Sequence, residues 1–223
     1  MPSTPPSADP RSARSARSAD RATRPGESAP EPGWRLLAWV LLVGGLLGEA
    51  AALILSVEKY RLAVDPDYIT SCDLNPVVSC GSIMTTPQAA AFGIPNSLLG
   101  VAGFAVVATV GAALLAGART AGWFWAGLQA GVTAGLLFVL WLIGQSLYVI
   151  GALCPYCMVV WIVTATVFWY VTLASLHRWA WSARSRAVVA TLRSYHAVPV
   201  VAGVTLVAVL VVVRFWEYWR TLI

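Results

Sequence analysis

Charged residues are scarce in this chain of 223 residues, where Lys, Arg, Asp and Glu together make up 11% of the sequence. Soluble domains carry about 25% charged residues. The charges also lie in a few islands, and the stretches between them are apolar over roughly 20 residues, the length that crosses the hydrocarbon core of a bilayer. This distribution excludes an ordinary soluble domain and predicts an integral membrane protein.

The motifs of several common cofactors are missing as well. The sequence has no haem signature, no iron–sulfur spacing and no G-x-G-x-x-G motif. It also has no recognition helix or stacking platform for nucleic acid, so the formal net charge of +5 is interpreted as a signal of membrane orientation. No nucleic acid partner is predicted.

The apolar runs predict an all-α protein, a four-helix transmembrane bundle with a fifth transmembrane helix. The five predicted helices cover residues 34–57, 95–115, 123–149, 154–176 and 198–213. Residues 1–32 are rich in Arg, Ser and Pro and lack an apolar period, which predicts a disordered cytoplasmic tail. A signal peptide is the alternative, but the first apolar run exceeds the roughly 7–15 residues of a signal peptide's apolar region.

The connections divide the chain further. The core is predicted over residues 33–176, and within it residues 58–94 form an outer loop, unusually long for a connection without a function. A short half-helix at residues 81–91 is predicted to lie at the membrane surface. Residues 177–197 are predicted as a basic cytoplasmic loop, and residues 198–223 as the fifth helix with an outer C-terminal end.

The Lys and Arg residues are divided unequally between the two sides of this arrangement. One side carries eleven: Arg11, Arg14, Arg17, Arg21, Arg24, Arg35, Arg119, Arg178, Arg184, Arg186 and Arg193. The other side carries four: Lys59, Arg61, Arg214 and Arg220. Because the more basic side faces the cytoplasm, the N-terminus is predicted to be cytoplasmic, and all four Cys to lie at the outer, oxidising side.

Cys154 and Cys157 form a C-x-x-C motif at the predicted start of the fourth helix. Their sulfurs share one helix face, close enough to bridge, and the partial positive charge of a helix N-terminus favours the thiolate. Such a short bridge constrains little chain entropy, so the motif predicts a redox pair. The alternatives are structural disulfides and zinc, although His177 and His196 fall on the predicted cytoplasmic side and cannot complete a zinc site.

Cys72 and Cys80 lie in the outer loop, with seven residues between them that include the turn former Asn75-Pro76. Alone, this pair is typical of a loop disulfide. Beside an outward-facing C-x-x-C it predicts a shuttle, in which the loop offers one accessible thiol to a soluble partner and the other to the membrane pair. The electrons need a two-electron acceptor soluble in lipid, which indicates a quinone in an aromatic-lined pocket between the helices.

These residues together resemble a known family. Two Cys in an outer loop, the segment Phe92-Gly-Ile-Pro-Asn-Ser-Leu-Leu-Gly100, and Cys154-Pro-Tyr-Cys157 at a helix start follow the order of vitamin K epoxide reductase and its bacterial homologues. The resemblance covers residues 34–176. It implies a four-helix bundle around a quinone with a helical cap over it, in a bacterial inner (plasma) membrane.

The resemblance also implies roles for the four cysteines. Cys72 exchanges with a thioredoxin-like partner, Cys80 exchanges with Cys154, and Cys157 faces the quinone ring. Because the 223 residues contain no thioredoxin-like domain, a separate DsbA-like partner is implied, with menaquinone or ubiquinone as the oxidant and no metal.

Three further residues are implied to bind the quinone. Asn96 matches the position that hydrogen-bonds a quinone carbonyl, with an N-cap of the second helix as the alternative role. Thr86 falls where homologues have Ser or Thr near the site, with a capping or turn role as the alternative. Trp161 stands where the animal enzyme has Tyr, a departure that concerns epoxide chemistry and not quinone reduction.

The predicted function is that of a membrane thiol:quinone oxidoreductase that generates disulfides in extracytoplasmic proteins. One alternative is a vitamin K epoxide reductase in the strict sense. Another is a non-enzymatic membrane protein with structural disulfides. A third, an unrelated enzyme of the DsbB type with a different helix order, is disfavoured by the motif at residues 92–100.

Overall fold

The computed structural model describes residues 32–180 and 182–220. Helices dominate these residues, and no strand is formed among them. The α-helices are α1 (Pro32–Val64), α2 (Cys80–Met84), α3 (Asn96–Leu115), α4 (Gly122–Gly144), α5 (Pro155–Trp179), α6 (Ala183–Ser194), α7 (Val198–Arg214) and α8 (Trp216–Arg220), with a 3-10 helix at Pro87–Ala90 and a π-helix at Gln145–Ile150. The tail predicted to be disordered lies outside the described residues, apart from Pro32.

Four segments are long and apolar enough to cross a bilayer. They are Trp34–Val64, Asn96–Leu115, Gly122–Ile150 and Pro155–Trp179, with mean hydropathies between 1.9 and 2.3. A fifth span results if α6 and α7, which are bent by 57° at the break between them, are counted together. The predicted all-α membrane fold, with a four-helix bundle, a fifth helix and a short helical cap, is confirmed.

The core of the bundle lies where α1, α3, α4 and α5 meet. Its buried apolar residues are Leu37, Leu41, Phe104, Val107, Val110, Trp125, Val132, Val163, Val167, Val171 and Ala174. Outside this core, large apolar side chains such as Leu46, Val106 and Leu137 are more than half exposed. Such side chains are as apolar as lipid tails, which suits helices surrounded by a bilayer.

Glycines let α1 and α3 pack at backbone contact. A Cβ atom added at Gly111 would lie 2.3 Å from the backbone nitrogen of Leu42, and one added at Gly45 would lie 2.5 Å from that of Ala108. Small residues commonly allow transmembrane helices this close approach. The contact fixes α1, which forms one wall of the site, against α3.

The first helix is about two turns longer than predicted. The apolar run ends near Val57, but α1 continues to Val64, so the loop predicted at 58–94 begins at residue 65. The polar residues after Val57 include good helix formers. The helix stops where Pro66 disfavours the helical conformation of Asp65.

Three other predicted boundaries also differ. The half-helix predicted at 81–91 is divided into α2 and the 3-10 helix, because Pro87 cannot continue a helix. The third predicted helix changes from α to π after Gly144. The basic loop predicted at 177–197 contains α6, which begins with a reciprocal capping box between Ser182 and Ser185.

The fifth helix α7 lies against α5. Near the start of α7, the His196 carbonyl accepts a hydrogen bond from Trp169 Nε1 at 2.7 Å. At the other end, Arg214 Nε donates to the Leu147 carbonyl at 2.9 Å. Because Leu147 lies close before the C-x-x-C motif, α7 runs toward the end of the bundle where the four Cys lie, called the cysteine end below.

Candidate active site

Backbone pairing joins the outer loop to the segment before the C-x-x-C motif. The Ser79 N–H donates to the Leu153 carbonyl at 2.9 Å, and the Leu153 N–H donates to the Val77 carbonyl at 2.7 Å, as in a parallel bridge. Cys80 and Cys154 are the next residues along their respective segments. The pairing therefore brings the two cysteines side by side.

A turn on each segment positions its backbone for this pairing. The Asn75 side-chain oxygen accepts from the N–H groups of Val77 at 3.0 Å and Val78 at 2.8 Å, which folds the loop back on itself. On the other segment, Gly151 has a φ of 73°, a left-handed conformation that favours glycine. Its N–H donates to the Ser146 carbonyl at 3.0 Å and ends the π-helix.

Asp73 braces the loop around the first cysteine pair. Its carboxylate accepts from the Ser79 hydroxyl at 2.7 Å, the Gly81 N–H at 3.0 Å and the Thr70 N–H at 3.2 Å. Burial by itself raises the pKa of the Asp73 carboxyl, but these hydrogen bonds outweigh it and hold the pKa below its ordinary value. The carboxylate is therefore ionised at neutral pH, and its bonds are charge-assisted.

The two cysteine pairs meet at one point. Cys72 and Cys80 form a disulfide with their Cα atoms 5.6 Å apart, whereas Cys154 and Cys157 are free thiols. The Sγ of Cys154 lies 3.1 Å from the Sγ of Cys80. Attack of a Cys154 thiolate on the Cys80 sulfur would form a Cys80–Cys154 disulfide and release Cys72 as a thiolate. The contact thus allows disulfide exchange between the pairs, in either direction.

Cys154 is the N-cap of α5, and Pro155 follows at a position where its missing N–H costs nothing. The Cys154 sulfur accepts from the Cys157 N–H at 3.4 Å. A hydrogen bond from the Cys157 thiol is the main cause that lowers the pKa of Cys154, and the N–H groups of Cys157 and Tyr156 add to it. They outweigh burial and the negative charge of Asp73, which raise the pKa, so Cys154 ionises more readily than an ordinary thiol.

A partly open cavity of about 130 Å³ contains Cys157 in its lining, together with residues of α1, α2, the 3-10 helix, the start of α3, the end of α4, the π-helix and α5. A cavity of roughly 150 Å³ holds a benzene ring, so this one is of the size for an aromatic ring. Its polar lining residues are Lys59, Thr86, Gln88, Asn96, Ser97, Gln145 and Ser146. Trp161 is the one aromatic residue of the lining, so the aromatic-lined pocket predicted from the sequence is largely aliphatic.

The four residues predicted to bind quinone all line this cavity. Cys157 and Trp161 come from α5, Asn96 from the start of α3, and Thr86 from the turn between α2 and the 3-10 helix. The Thr86 hydroxyl donates to the Ile83 carbonyl at 2.7 Å, so it also serves as a turn residue. The sequence prediction therefore selected residues from three separate segments that meet in the fold.

Asn96 is not the N-cap of α3, because Pro95 occupies that position. The Asn96 amide instead ties the preceding turn to the helix, since it donates to the Gln88 carbonyl at 2.7 Å and accepts from the Ala91 N–H at 3.1 Å. Its amide nitrogen carries a second hydrogen. That hydrogen is the group with which Asn96 could bind a ligand in the cavity.

A larger cavity of about 590 Å³ adjoins the first and shares four lining residues with it, Asn96, Gly100, Leu142 and Val160. It follows α3 and α4 toward Trp123, at the end of α4 away from the cysteines. Thr164 is its one further polar lining residue besides Asn96. A largely apolar cavity along the helices therefore lies directly beside the smaller one.

The model of the vitamin K epoxide reductase family matches residues 39–172, which is more than half of the chain. The match contains both cysteine pairs, the cap between them and most of the four helices that form the core. The chain belongs to the vitamin K epoxide reductase family. No curated protein matches it. As a member of this family, the chain is a multi-pass membrane oxidoreductase of the thiol–disulfide and quinone kind.

In this member of the vitamin K epoxide reductase family, the loop disulfide is buried. Cys72 is 4% exposed and Cys80 is 0% exposed, with Leu55 among the residues packed against them. The accessible sulfur expected from the sequence is therefore not found in this conformation. Glu58 on α1 is itself buried and accepts from the Ser71 N–H at 3.3 Å, which ties the residue before Cys72 to α1.

The sulfurs of Cys72, Cys80 and Cys154 lie within 4.8 Å of one another. Zinc binds sulfur as the thiolate. Two of these three sulfurs are joined in a disulfide in this structure, and the third, that of Cys154, lies beside Cys80 at a distance that suits exchange.

Sequence reasoning missed five polar residues of the cavity, Lys59, Gln88, Ser97, Gln145 and Ser146. Lys59 shares one helix face with Ala52 and Leu55, but this spacing has meaning only if α1 continues beyond Val57. Gln145 was detectable as an amide in an apolar span. It opens the π-helix, a rare element that occurs often at functional sites.

Proposed function

We propose that this chain oxidises the thiols of extracytoplasmic proteins and passes their electrons through its two cysteine pairs to a quinone. One observation carries the proposal: the Cys80 and Cys154 sulfurs lie 3.1 Å apart, while Cys157, one helical turn further along, lines the ring-sized cavity. A disulfide that only stabilises the fold needs no second pair of cysteines in contact with it. A relay requires one.

The proposed relay has three transfers. First, a dithiol of a thioredoxin-fold partner of the DsbA kind reduces the Cys72–Cys80 disulfide, and the partner's own disulfide forms. Next, the Cys80 thiolate attacks Cys154 in an oxidised Cys154–Cys157 pair and displaces Cys157. Cys72 then attacks Cys80 and displaces Cys154, which closes the loop disulfide and leaves both helix thiols reduced.

The last transfer takes place at the cavity. As the Cys154–Cys157 disulfide forms again, the two thiols give up two electrons and two protons, and a quinone that takes up both becomes a hydroquinone. Cys157 is proposed to face the ring, with Asn96, Thr86 and Trp161 around it. The adjoining apolar cavity offers space for a polyprenyl chain, as menaquinone and ubiquinone carry.

The proposed partner must open the loop before it reacts, because Cys72 is buried. Residues 65–71 connect α1 to Cys72 along the chain, and Ser71 is bound to Glu58. Displacement of this segment is proposed as the step that exposes Cys72. The orientation proposed from the eleven basic residues on one side and four on the other puts this loop outside a bacterial plasma membrane.

The proposal is tested by anaerobic assay of quinone reduction by the purified protein, with a reduced DsbA-like protein as the electron donor. Menaquinone and ubiquinone are supplied in turn. Each single variant, Cys72→Ala, Cys80→Ala, Cys154→Ala and Cys157→Ala, is expected to abolish turnover. Val159→Ala is the control, because Val159 is exposed on α5 two residues after Cys157 and lines neither cavity.

Wild-type activity in all four cysteine variants would overturn the relay. If Cys157→Ala lowers only the stability of the protein and leaves quinone reduction intact, the cysteines are structural. Turnover of vitamin K epoxide by the purified protein, with thiols as the reductant, would instead favour an epoxide reductase in the strict sense.

A further inference from the structure

Lys59 is the one charged residue that lines the ring-sized cavity, and Cys157 is the one other ionisable residue there. The two residues are far apart in the sequence, since Lys59 belongs to α1 and Cys157 to the first turn of α5. Lys59 belongs to the two turns of α1 that extend beyond the apolar run. Its ammonium group donates to the carbonyl of Met84, which also lines the cavity.

The charge of Lys59 is not neutralised by a carboxylate within the part of the chain that the structure describes. The one salt bridge among those residues joins Arg220 to Glu217. The neighbouring acid Glu58 is bound to the Ser71 N–H, and Asp73 is bound to Ser79 and two N–H groups. A positive charge beside a neutral carbonyl is therefore available to a ligand in the cavity.

We propose that Lys59 is a catalytic residue that stabilises the negative charge developing on a ring oxygen as a bound quinone is reduced. This inference rests on the proposed function. Reduction delivers two electrons from the thiols and two protons, and until a proton arrives the excess charge resides on the oxygens. A fixed cation in an apolar site stabilises such charge strongly, because it needs no reorganisation and little water screens it.

A merely structural role for Lys59 makes different predictions. In that case Lys59 ties the last carbonyl of α2 to α1 and keeps the cap over the cavity. Lys59→Gln can still donate a hydrogen bond to Met84 but carries no charge, whereas Lys59→Met loses both. Lys59→Arg keeps the charge and the donor.

The first test compares turnover in these variants. We expect Lys59→Gln and Lys59→Met to lower kcat for quinone reduction by about 100-fold, the effect of losing one donor to a developing oxyanion. The KM for quinone should change little, because the neutral substrate gains little from the charge. Lys59→Arg should restore most of kcat. Arg61→Gln is the matched control, since it removes one positive charge from the same end of α1 at an exposed position outside both cavities.

The second test measures binding without turnover. The probes are 1,4-naphthoquinone, which is neutral, and 2-hydroxy-1,4-naphthoquinone, which is an anion at neutral pH. Each is titrated into purified protein whose four Cys are intact and whose two cysteine pairs are both oxidised to disulfides, so that no thiol can reduce the probe or add to it, while calorimetry records the heat. Lys59→Gln should weaken binding of the anion by about tenfold, the value of one charge-assisted bond. Its affinity for the neutral probe should equal that of the wild type.

Several outcomes separate the possibilities. If wild type reduces no quinone, the proposed function fails as a whole. If wild type is active and Lys59→Gln matches it in kcat and in affinity for the anion, Lys59 has no electrostatic role. If Lys59→Gln is normal while Lys59→Met loses activity and thermal stability, the residue is a tether and the inference is wrong.

Discussion

Cys154 and Cys157 are three positions apart but occupy different chemical settings. Cys154 caps the helix, touches the Cys80 sulfur and receives hydrogen bonds that lower its pKa. Cys157 lines the ring-sized cavity instead. The helix start thus separates a thiol suited to exchange with the loop from one that faces the ligand space. This division depends on the capping position, which the C-x-x-C spacing at a helix start already indicated.

The lowered pKa of Cys154 leads to a prediction for its alkylation. A lowered pKa means that the thiolate forms at lower pH, so the reaction rate should reach half its maximum at a lower pH than for an ordinary cysteine thiol. Cys157→Ala removes the largest lowering contribution and should shift this midpoint upward. Cys157→Ser retains a hydroxyl donor and should shift it less. The measurement is the rate of iodoacetamide modification of Cys154 against pH, followed by mass spectrometry with Cys72–Cys80 oxidised.

Equal midpoints in the Ala and Ser variants would show that the Cys157 thiol does not act as the donor. The contributions of the Cys157 and Tyr156 N–H groups remain in both variants, so the comparison isolates the side chain. Loss of modification in all forms would instead report that burial of Cys154 excludes the reagent, and cyanylation with a smaller reagent would then replace it.

Site residues of a rare type, such as Cys, were predictable from the sequence. Residues whose role depends on how the chain folds around them were not. Four Cys in a chain so poor in polar groups invite a redox interpretation from spacing alone. In the sequence, Asp73 and Lys59 cannot be distinguished from ordinary charged residues at a protein surface. Their roles arise because a folded loop surrounds Asp73 with three donors and because α1 extends far enough to turn Lys59 into the cavity.

At the scale of helices, the length of the apolar runs predicted the membrane spans. It did not predict where a helix ends when its last turns are polar. The run to Val57 marks where lipid contact ends, whereas hydrogen bonding and the Asp65-Pro66 pair decide where α1 ends. The helix α6 has a short apolar side, with buried Val189, although the basic residues of this segment predict a loop. Capping by Ser182 is the local signal that indicates its start.

Because α1 packs closely on α3, the effect of a Gly→Ala substitution on stability should depend on which glycine of α3 is replaced. Gly111→Ala should destabilise the protein by about 1–3 kcal/mol, the usual cost of overpacking, because its Cβ would meet the Leu42 backbone at 2.3 Å. Gly103→Ala on the same helix is the control, since its Cβ would meet nothing within 4 Å. That variant should be neutral or slightly more stable, because Ala favours a helix by up to about 1 kcal/mol over Gly. Unfolding of purified protein in detergent measures both.

A Gly111→Ala protein as stable as Gly103→Ala would mean that α1 and α3 can separate at no cost. The wall of the cavity formed by Ala52, Leu55 and Lys59 would then not be held at a fixed distance from Asn96. Quinone affinity measured on the Gly111→Ala variant, whose site of change lines neither cavity, would show whether the site tolerates such movement.

At the scale of the whole molecule, the fold concentrates its chemistry at one end. The loop disulfide, the C-x-x-C motif and the smaller cavity all lie at the cysteine end. Phe215, just after α7, is buried there in a cluster with Val77 and Leu153. The fifth helix therefore supports the active end, although its 17 residues were too few to count alone as a span.

Five membrane spans and a cytoplasmic N-terminus together predict which side of the membrane each connecting segment faces. Single Cys residues are placed at exposed positions, Asp67→Cys, Arg186→Cys or Glu217→Cys, in protein whose four native Cys are replaced by Ala. Because the more basic side faces the cytoplasm, a membrane-impermeant maleimide should label positions 67 and 217 in intact cells. Position 186 should react only after permeabilisation.

Each site has a distinct contrary result. Labelling of position 186 with protection of 67 would reverse the orientation and put the relay in a reducing compartment, where the loop disulfide would not persist. Protection of 217 alone would mean that α6 and α7 do not cross the bilayer together. Phe215 argues against that outcome, because its burial beside Leu153 ties the end of α7 to the same side as the cysteines.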